Sequence, residues 1–106
     1  MNPQLQPILQ EVRQTLERIY GNRLSNIVLF GSQARGTAIE GSDIDILIVL
    51  EGAFSPGREI HRVAQSTAEI SLRYNVVISS TFVSADRFGT EQSPLLINIR
   101  REGVAI

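Results

Sequence analysis

Residues 26–50 read NIVLFGSQARGTAIEGSDIDILIVL, and this stretch decides the fold. Its first part, Asn26 to Phe30, is short, apolar and partly β-branched, which predicts a buried strand that ends at Gly31. Its last part, Ile44 to Leu50, is apolar except at Asp45 and predicts a central strand covered on both faces. The chain therefore places a tight turn and a polar loop between two buried strands.

Helical periodicity flanks these strands on both sides. From Pro3 to Tyr20 the apolar residues recur at steps of three and four, and Gly21 marks the end of this predicted helix. A second helix is predicted from about Arg58 to Tyr74, with Ser55 or Gly57 as its cap. The residues of the second helix that we expect to face inward are Ile60, Val63, Ala64, Thr67 and Ile70.

The rest of the chain adds a strand and a helix. Asn75 to Val83 is rich in β-formers and predicts a third strand, after which Ser84-Ala85-Asp86 has the composition of a helix cap. Ser93-Pro94 predicts the start of a last helix that runs to Gly103. This order of elements predicts one small layered α/β (α+β) domain over residues 1–106, with helices packed against one sheet.

The composition limits the chemistry that the chain can perform. Of its 106 residues, 42% are hydrophobic and 20% are charged, as in ordinary globular proteins. Ten arginines, no lysine and eleven acids leave a net charge of -1, so overall electrostatics favour neither nucleic acid nor an anionic membrane. Without cysteine or lysine and with a single histidine, the chain excludes thiolate zinc sites, lysine Schiff bases and histidine-rich metal sites. Any metal must be held by oxygen, and we expect a cytoplasmic location because neither a leader segment nor a membrane-spanning run is visible.

The turn after the first strand has the features of an anion-binding site. Gly31 permits a sharp turn and a close approach of the backbone, and a helix opening at Ser32 would direct free N–H groups at an anion. The Ser32 hydroxyl can donate to a phosphate oxygen. Arg35 offers a planar guanidinium either to phosphate or to a carboxylate of the same site, and the sequence leaves this choice open.

Asp43 and Asp45 lie two positions apart at the start of the central strand. Their side chains should therefore project from one face, about 7 Å apart at the backbone, where two carboxylates can share Mg²⁺. The alternative is that Gly31 and Gly36 are ordinary turn residues and that Ser42-Asp43 only flanks a strand. Against this, Asp45 lies in a run otherwise suited to burial, where an unpaired carboxylate is costly.

Gly31-Ser32, then Arg35-Gly36, then Ser42-Asp43-Ile44-Asp45 at the start of an apolar strand together resemble the signature of the DNA polymerase β superfamily of nucleotidyltransferases. In size and element order the chain looks like the minimal nucleotidyltransferases, commonly antitoxins paired with small all-helical HEPN toxins. The resemblance implies a mixed sheet and magnesium-dependent transfer of AMP from ATP to a hydroxyl of a toxin partner. No membrane or direct nucleic-acid binding is expected, and oligomerisation is left open. The implied site consists of Gly31, Ser32, Arg35 and Ser42 at the nucleotide, with Asp43 and Asp45 as catalytic metal ligands.

Active members of this family generally carry a third carboxylate on a neighbouring strand, and here the chain departs from the pattern. Asn75 to Val83 contains no acid, and Ser79 or Ser80 is expected near the vacant position. A neutral hydroxyl neither offsets a second divalent charge nor acts as an effective base at neutral pH. Three interpretations follow: an enzyme whose base comes from the acceptor or a partner, a noncatalytic nucleotide-binding antitoxin that neutralises its partner by occlusion, or a scaffold subunit that does not bind Mg·ATP.

The other ionisable side chains are weaker candidates. Glu69, Asp86 and Glu91 would each need an unusual path to replace the missing acid, so we expect them to be solvated surface charges. His61 is expected at the surface or in packing, because nothing at helical spacing would complete a catalytic pair with it.

Overall fold

The computed structural model describes residues 4–39 and 41–106. It contains a four-stranded sheet with helices on both faces. The predicted α/β class is confirmed, and a short 3-10 turn over Gly21–Arg23 joins the first helix to the first strand. The helices and strands are α1 (Leu5–Tyr20), β1 (Leu24–Phe30), α2 (Gly31–Arg35), β2 (Ile44–Leu50), α3 (Pro56–Tyr74), β3 (Ile78–Ser84), α4 (Ala85–Thr90), α5 (Pro94–Glu102) and β4 (Val104–Ala105).

The sheet is mixed, as the resemblance implied, with the strand order β3-β2-β1-β4. β1 pairs antiparallel with both β2 and β4, whereas β2 and β3 are parallel because α3 carries the chain back across the sheet. Sequence reasoning missed β4, since a two-residue strand is too short to show a periodicity.

The core lies on both sides of β2. Its even-numbered residues, from Ile44 to Leu50, pack into the cluster that α1 and α3 cover. Leu47 and Val49 pack on the other face, in a second cluster with residues of α4 and α5. The prediction that both faces of the central strand are covered is therefore confirmed.

Local signals located most of the helix ends. Gly21, with a φ of 54°, ends α1, where its positive φ disfavours residues that carry a Cβ. The Ser84 hydroxyl accepts a hydrogen bond from the Arg87 N–H at 3.3 Å and caps α4, as predicted. Ser93 caps α5 in the same way. The predicted start of the first helix at Pro3 lies outside the described residues, in which the helix begins at Leu5.

The inward face of α3 was predicted only in part. Val63 and Ile70 are buried, as expected, and Thr67 is half-buried. Ile60, however, is 50% exposed and Ala64 is also exposed, so the prediction for these two residues is wrong. The periodicity predicts an apolar face but not its covered width, and α3 packs mainly on α1 and β3, which leaves one flank open.

None of the helices formed by residues 4–39 and 41–106 combines the length and apolar character needed to cross a membrane.

Candidate functional site

The candidate site lies where β1 ends and β2 begins, with Gly31 at its centre. Phe30, the last residue of β1, pairs with Asp45 of β2, so Gly31 follows directly beside this carboxylate. Gly31 has a φ of 72°, which disfavours residues that carry a Cβ. A Cβ at this position would lie 2.4 Å from Asp45 Oδ2. The missing side chain of Gly31 therefore provides the space that the Asp45 carboxylate occupies.

Asp43 and Asp45 share one face of the sheet. Ile44 and Ile46 are fully buried on the face toward α1 and α3, so strand alternation directs Asp45 to the opposite face. Asp43, two positions earlier, lies on the same side and is exposed, whereas Asp45 is half-buried. Burial raises the pKa of Asp45, the negative charge of Asp43 raises it further, and the Arg35 guanidinium acts in the opposite direction. The two carboxylates thus form an anionic pair that a cation would stabilise.

Arg35 lies at the end of α2 and connects this site to α5. Its Nη1 is 3.6 Å from Glu102 Oε2, and both side chains are partly exposed. Arg35 therefore pairs with a carboxylate of α5 rather than with Asp43 or Asp45, and its contact with a phosphate stays a prediction. Sequence reasoning missed Glu102, and no motif could have identified it, because the two residues meet only after the chain has folded.

Ser32 and Ser42 occupy the two ends of the loop around the site. Ser32 is half-buried in the first turn of α2, and its carbonyl accepts a hydrogen bond from the Thr37 N–H at 3.0 Å. The Ser42 hydroxyl accepts from the Ile39 N–H at 2.9 Å, and the Ser42 N–H donates to the Ile39 carbonyl at 3.0 Å. Ser42 therefore closes the loop that leads into Asp43, and its contact with a nucleotide stays a prediction.

Gln33 is a further residue of the loop that sequence reasoning passed over. It is only 7% exposed, and its Oε1 has no hydrogen-bond partner within the described part of the chain. An unpaired buried amide oxygen is costly. Gln33 thus adds a buried amide side chain to the turn that follows β1.

The position of the missing third carboxylate can be read from the register of β2 and β3. Asp45 pairs with Ser79, and the Ile44 N–H donates to the Val77 carbonyl at 2.8 Å. Val77 and Ser79 therefore lie on the face of the aspartates, and both are exposed. Ser80 pairs with Ile46 and points to the other face, so the expectation that Ser80 could lie near the vacant position is wrong. Val77, level with Asp43, was overlooked.

The other acids and the histidine lie where surface residues were expected. Glu91 forms an ion pair with Arg87 at 2.8 Å, and Glu69 Oε1 accepts a hydrogen bond from Gln65 at 3.4 Å. Asp86 and His61 are exposed. None of these contacts joins them to Asp43 and Asp45.

The donor set at the site fits Mg²⁺. Within residues 4–39 and 41–106 no three His, Cys, Asp or Glu side chains form a group that could hold a metal ion. The candidate ligands are therefore the two carboxylates Asp43 and Asp45. Mg²⁺ in nucleotide sites is commonly bound by one or two carboxylates, with phosphate oxygens and water completing its octahedron. The space beside Gly31 for the Asp45 carboxylate is the structural observation that supports this fit.

Comparison with known proteins finds a family model and relatives that match most of the chain. The family model for the nucleotidyltransferase domain matches residues 9–98. A proposed protein adenylyltransferase of Methanocaldococcus jannaschii is 40% identical over 82 residues, which cover 74% of this chain and 54% of the relative. The chain thus spans about half the length of that relative. A second such protein of this organism is 38% identical over 80 residues, covering 76% of this chain and 74% of the relative.

Solved structures share the fold at low sequence identity. A toxin-antitoxin structure with AMP-PNP superposes with a TM-score of 0.64 at 20% identity, covering 91% of this chain and 69% of the other. A proposed nucleotidyltransferase from Sulfolobus solfataricus gives a TM-score of 0.56 at 20% identity, covering 93% and 76%. The family match over residues 9–98 and the similarity to the relatives show the same family that the Gly31 to Asp45 motif resembles. This chain belongs to the nucleotidyltransferase domain family.

Proposed function

We propose that this chain binds Mg²⁺ and ATP between Gly31 and Asp45 and transfers AMP to a hydroxyl of a toxin partner, acting as its antitoxin. The observation that supports this most directly is the pair of aspartates on one sheet face, with the Asp45 carboxylate seated against Gly31. This is an oxygen-ligand site beside a turn suited to phosphate.

Each residue of the site has a role in this proposal. Asp43 and Asp45 would hold Mg²⁺, which supplies Lewis-acid neutralisation of the phosphate charge when it is bound. The Ser32 hydroxyl and the backbone N–H groups of the turn would bind phosphate oxygens. Arg35, held by Glu102, would add a positive charge beside the developing negative charge. Ser42 would keep the loop before Asp43 in place.

The proposed reaction needs a base that β3 does not supply. The acceptor oxygen forms a bond to the α-phosphorus while the bond from that phosphorus to the bridging oxygen breaks, and pyrophosphate leaves. The hydroxyl proton must pass to a base. Val77 and Ser79, the two residues of this region that share the face of the aspartates, carry no acid. In this proposal the acceptor protein provides the base.

The names of similar proteins support the choice of nucleotide and partner. Two relatives in M. jannaschii are proposed protein adenylyltransferases. One structural neighbour is a toxin-antitoxin with AMP-PNP, an ATP analogue, and another is a MntA-HpeT variant in which two aspartates two positions apart are changed to glutamate. The HEPN class of the toxin and a cytoplasmic location rest on the sequence resemblance and composition.

A second candidate function is noncatalytic neutralisation. Without an acid at Val77 or Ser79 the site has two carboxylates, which suffice for one metal-nucleotide complex but leave the hydroxyl proton without a base on this chain. Such a protein would bind nucleotide and inactivate its partner by covering its surface.

Nucleotide binding is tested first, by calorimetric titration of the purified chain with Mg²⁺ and AMP-PNP. The variant Asp43→Asn with Asp45→Asn should bind at least about tenfold more weakly, because it loses both charged metal ligands. Asp86→Asn is the matched control, since Asp86 is an exposed aspartate of α4 and should leave binding unchanged. Equal affinity of all three proteins would refute the assigned site.

Transfer is tested by incubating the chain with ATP, Mg²⁺ and the toxin partner that this proposal requires. Mass spectrometry should show one adenylyl group on the toxin, and the double aspartate variant should abolish both the adduct and neutralisation. Val77→Asp, which places a carboxylate level with Asp43, should increase the rate if the missing acid limits turnover. Nucleotide binding without an adduct, together with neutralisation by the double variant, would refute transfer and support occlusion.

A further inference from the structure

One flank of α3 is apolar and uncovered. Four residues spaced four apart, here called the α3 flank, are Ile60, Ala64, Ala68 and Leu72. Ile60 is 50% exposed and Leu72 is 83% exposed, and both alanines are exposed as well. The α3 flank carries no charge, whereas Arg62 and Arg73, elsewhere on α3, form ion pairs with Glu59 and Glu11. This is a surface of the kind that proteins usually cover.

The α3 flank borders the open edge of the sheet. β3 is the end strand of the sheet and pairs with β2 on one side only. A groove of about 530 Å³ runs between α3 and β3, lined by the α3 flank together with Val76, Ile78 and Ser80. An occupant of this groove could therefore contact the helix and the strand edge together.

One hydrogen bond shows which peptide groups of β3 point to the open edge of the sheet. The Val77 carbonyl accepts from the Ile44 N–H and so points toward β2. Because peptide groups alternate along a strand, the N–H and C=O groups of Ile78, Ser80 and Phe82 point to the open side. Residues 75–85 contain no charge and no proline, the two features that usually protect an edge strand from pairing.

β3 is chemically symmetric about Ser80. One step from Ser80 lie the hydroxyl residues Ser79 and Thr81, and two steps away lie the apolar Ile78 and Phe82. Antiparallel pairing of β3 with its own copy about Ser80 therefore matches hydroxyl with hydroxyl and apolar with apolar side chains. The same register opposes the outward N–H and C=O groups of Ile78 with those of Phe82 in the second copy, as hydrogen-bonded pairs require.

The α3 flank has the same symmetry. A two-fold axis perpendicular to the sheet keeps α3 of both copies on one face and makes the two helices antiparallel. Ile60 of one copy then lies toward Leu72 of the other, and the small Ala64 and Ala68 allow the helices to approach closely at the centre. The same two-fold rotation thus pairs the open edges of β3 and brings the two α3 flanks into contact.

The Ser80 hydroxyl is an independent observation that supports pairing at the edge of β3. Its Oγ is buried and has no hydrogen-bond partner within the described residues, and Ser80 lines the groove. Pairing about Ser80 sets this side chain opposite its own copy, and rotation about the Cα–Cβ bond of each serine would turn the two hydroxyls toward each other. The geometry points to an isologous homodimer in which β3 pairs antiparallel with β3 of a second copy and the two α3 flanks pack together.

The test measures the mass of the full chain by sedimentation and the protection of its amides by hydrogen exchange. The unmodified chain should sediment at twice its 11.7 kDa mass. The amides of Ile78, Ser80 and Phe82 should be protected from exchange. Ala68→Glu, which puts an unpaired charge at the centre of the interface, should weaken the dimer at least about tenfold and remove that protection.

His61→Glu is the matched control, because it introduces the same charge at an exposed position of α3 outside the groove lining. It should leave the dimer intact, and equal melting temperatures of monomeric Ala68→Glu and monomeric His61→Glu at high dilution would show that the fold is preserved. A chain that stays monomeric across concentrations, with rapidly exchanging amides at these three positions, would overturn the inference. So would a monomer in which Ala68→Glu weakens binding of the toxin, because the groove would then belong to the toxin.

Discussion

Replacing Gly31 by alanine tests how the turn and the anionic pair depend on each other. Two effects should add to the loss of stability that Gly31→Ala causes. The φ of 72° costs about 1–2 kcal/mol for a residue with a Cβ. The new Cβ would also lie 2.4 Å from Asp45 Oδ2, so the carboxylate must move, at a cost typical of overpacking, about 1–3 kcal/mol.

Gly52→Ala separates these two effects. Gly52 has a φ of 81°, but a Cβ there would meet nothing within 4 Å. Its substitution should cost only the backbone strain, about 1–2 kcal/mol, and should leave nucleotide binding unchanged. Gly31→Ala should cost about 2–5 kcal/mol in total and should also weaken binding of Mg²⁺ and AMP-PNP, because it displaces a proposed ligand.

Urea unfolding gives the two stability losses, and calorimetric titration gives the two affinities. Removing the Asp45 carboxylate with Asp45→Ala in the Gly31→Ala background should reduce the cost of Gly31→Ala to that of Gly52→Ala. Similar stability losses for Gly31→Ala and Gly52→Ala, with nucleotide affinity intact in both, would refute the reasoning that Gly31 makes space for Asp45.

Two other substitutions probe buried or partly buried charges. Because the pKa of Asp45 is raised in the folded chain, its ionisation lowers stability as pH rises from the ordinary value of 3.8 through the folded value. Asp45→Asn should therefore raise the free energy of unfolding at neutral pH, by less than about 1 kcal/mol given solvent screening, and the gain should vanish below the ordinary pKa; a gain independent of pH in urea titrations would contradict this. Tyr20→Phe removes the hydrogen bond that the Tyr20 hydroxyl donates to buried Glu59 at 2.9 Å. It should cost about 1–3 kcal/mol in the same assay, since Glu59 keeps only Arg62, and a loss well below 1 kcal/mol would show that Arg62 alone suffices.

Much of the fold followed from patterns that act within one element. The apolar run from Ile44 to Leu50 gave a central strand with both faces covered, because burial on two sides requires apolar residues at nearly every position. Gly21, Ser84 and Ser93 marked helix ends, since a positive φ and side-chain caps depend only on neighbouring residues.

Part of the candidate site could be predicted from the sequence, and part of it depended on the tertiary structure. The spacing of Asp43 and Asp45 placed them on one face, because side chains of a strand alternate. The spacing did not show that Asp45 occupies the space that Gly31 leaves, or that Arg35 meets Glu102. Those contacts join elements that are separate in the sequence.

By itself the sequence determined the family motif from Gly31 to Asp45, the central strand and most helix ends, all of which depend on local spacing. Only the tertiary structure decided that Val77 and Ser79, and not Ser80, lie beside the aspartates, because a one-residue change in the register of β3 reverses every side chain. It also decided that Ile60 is exposed, since a helical pattern does not specify how far the neighbouring elements extend over it.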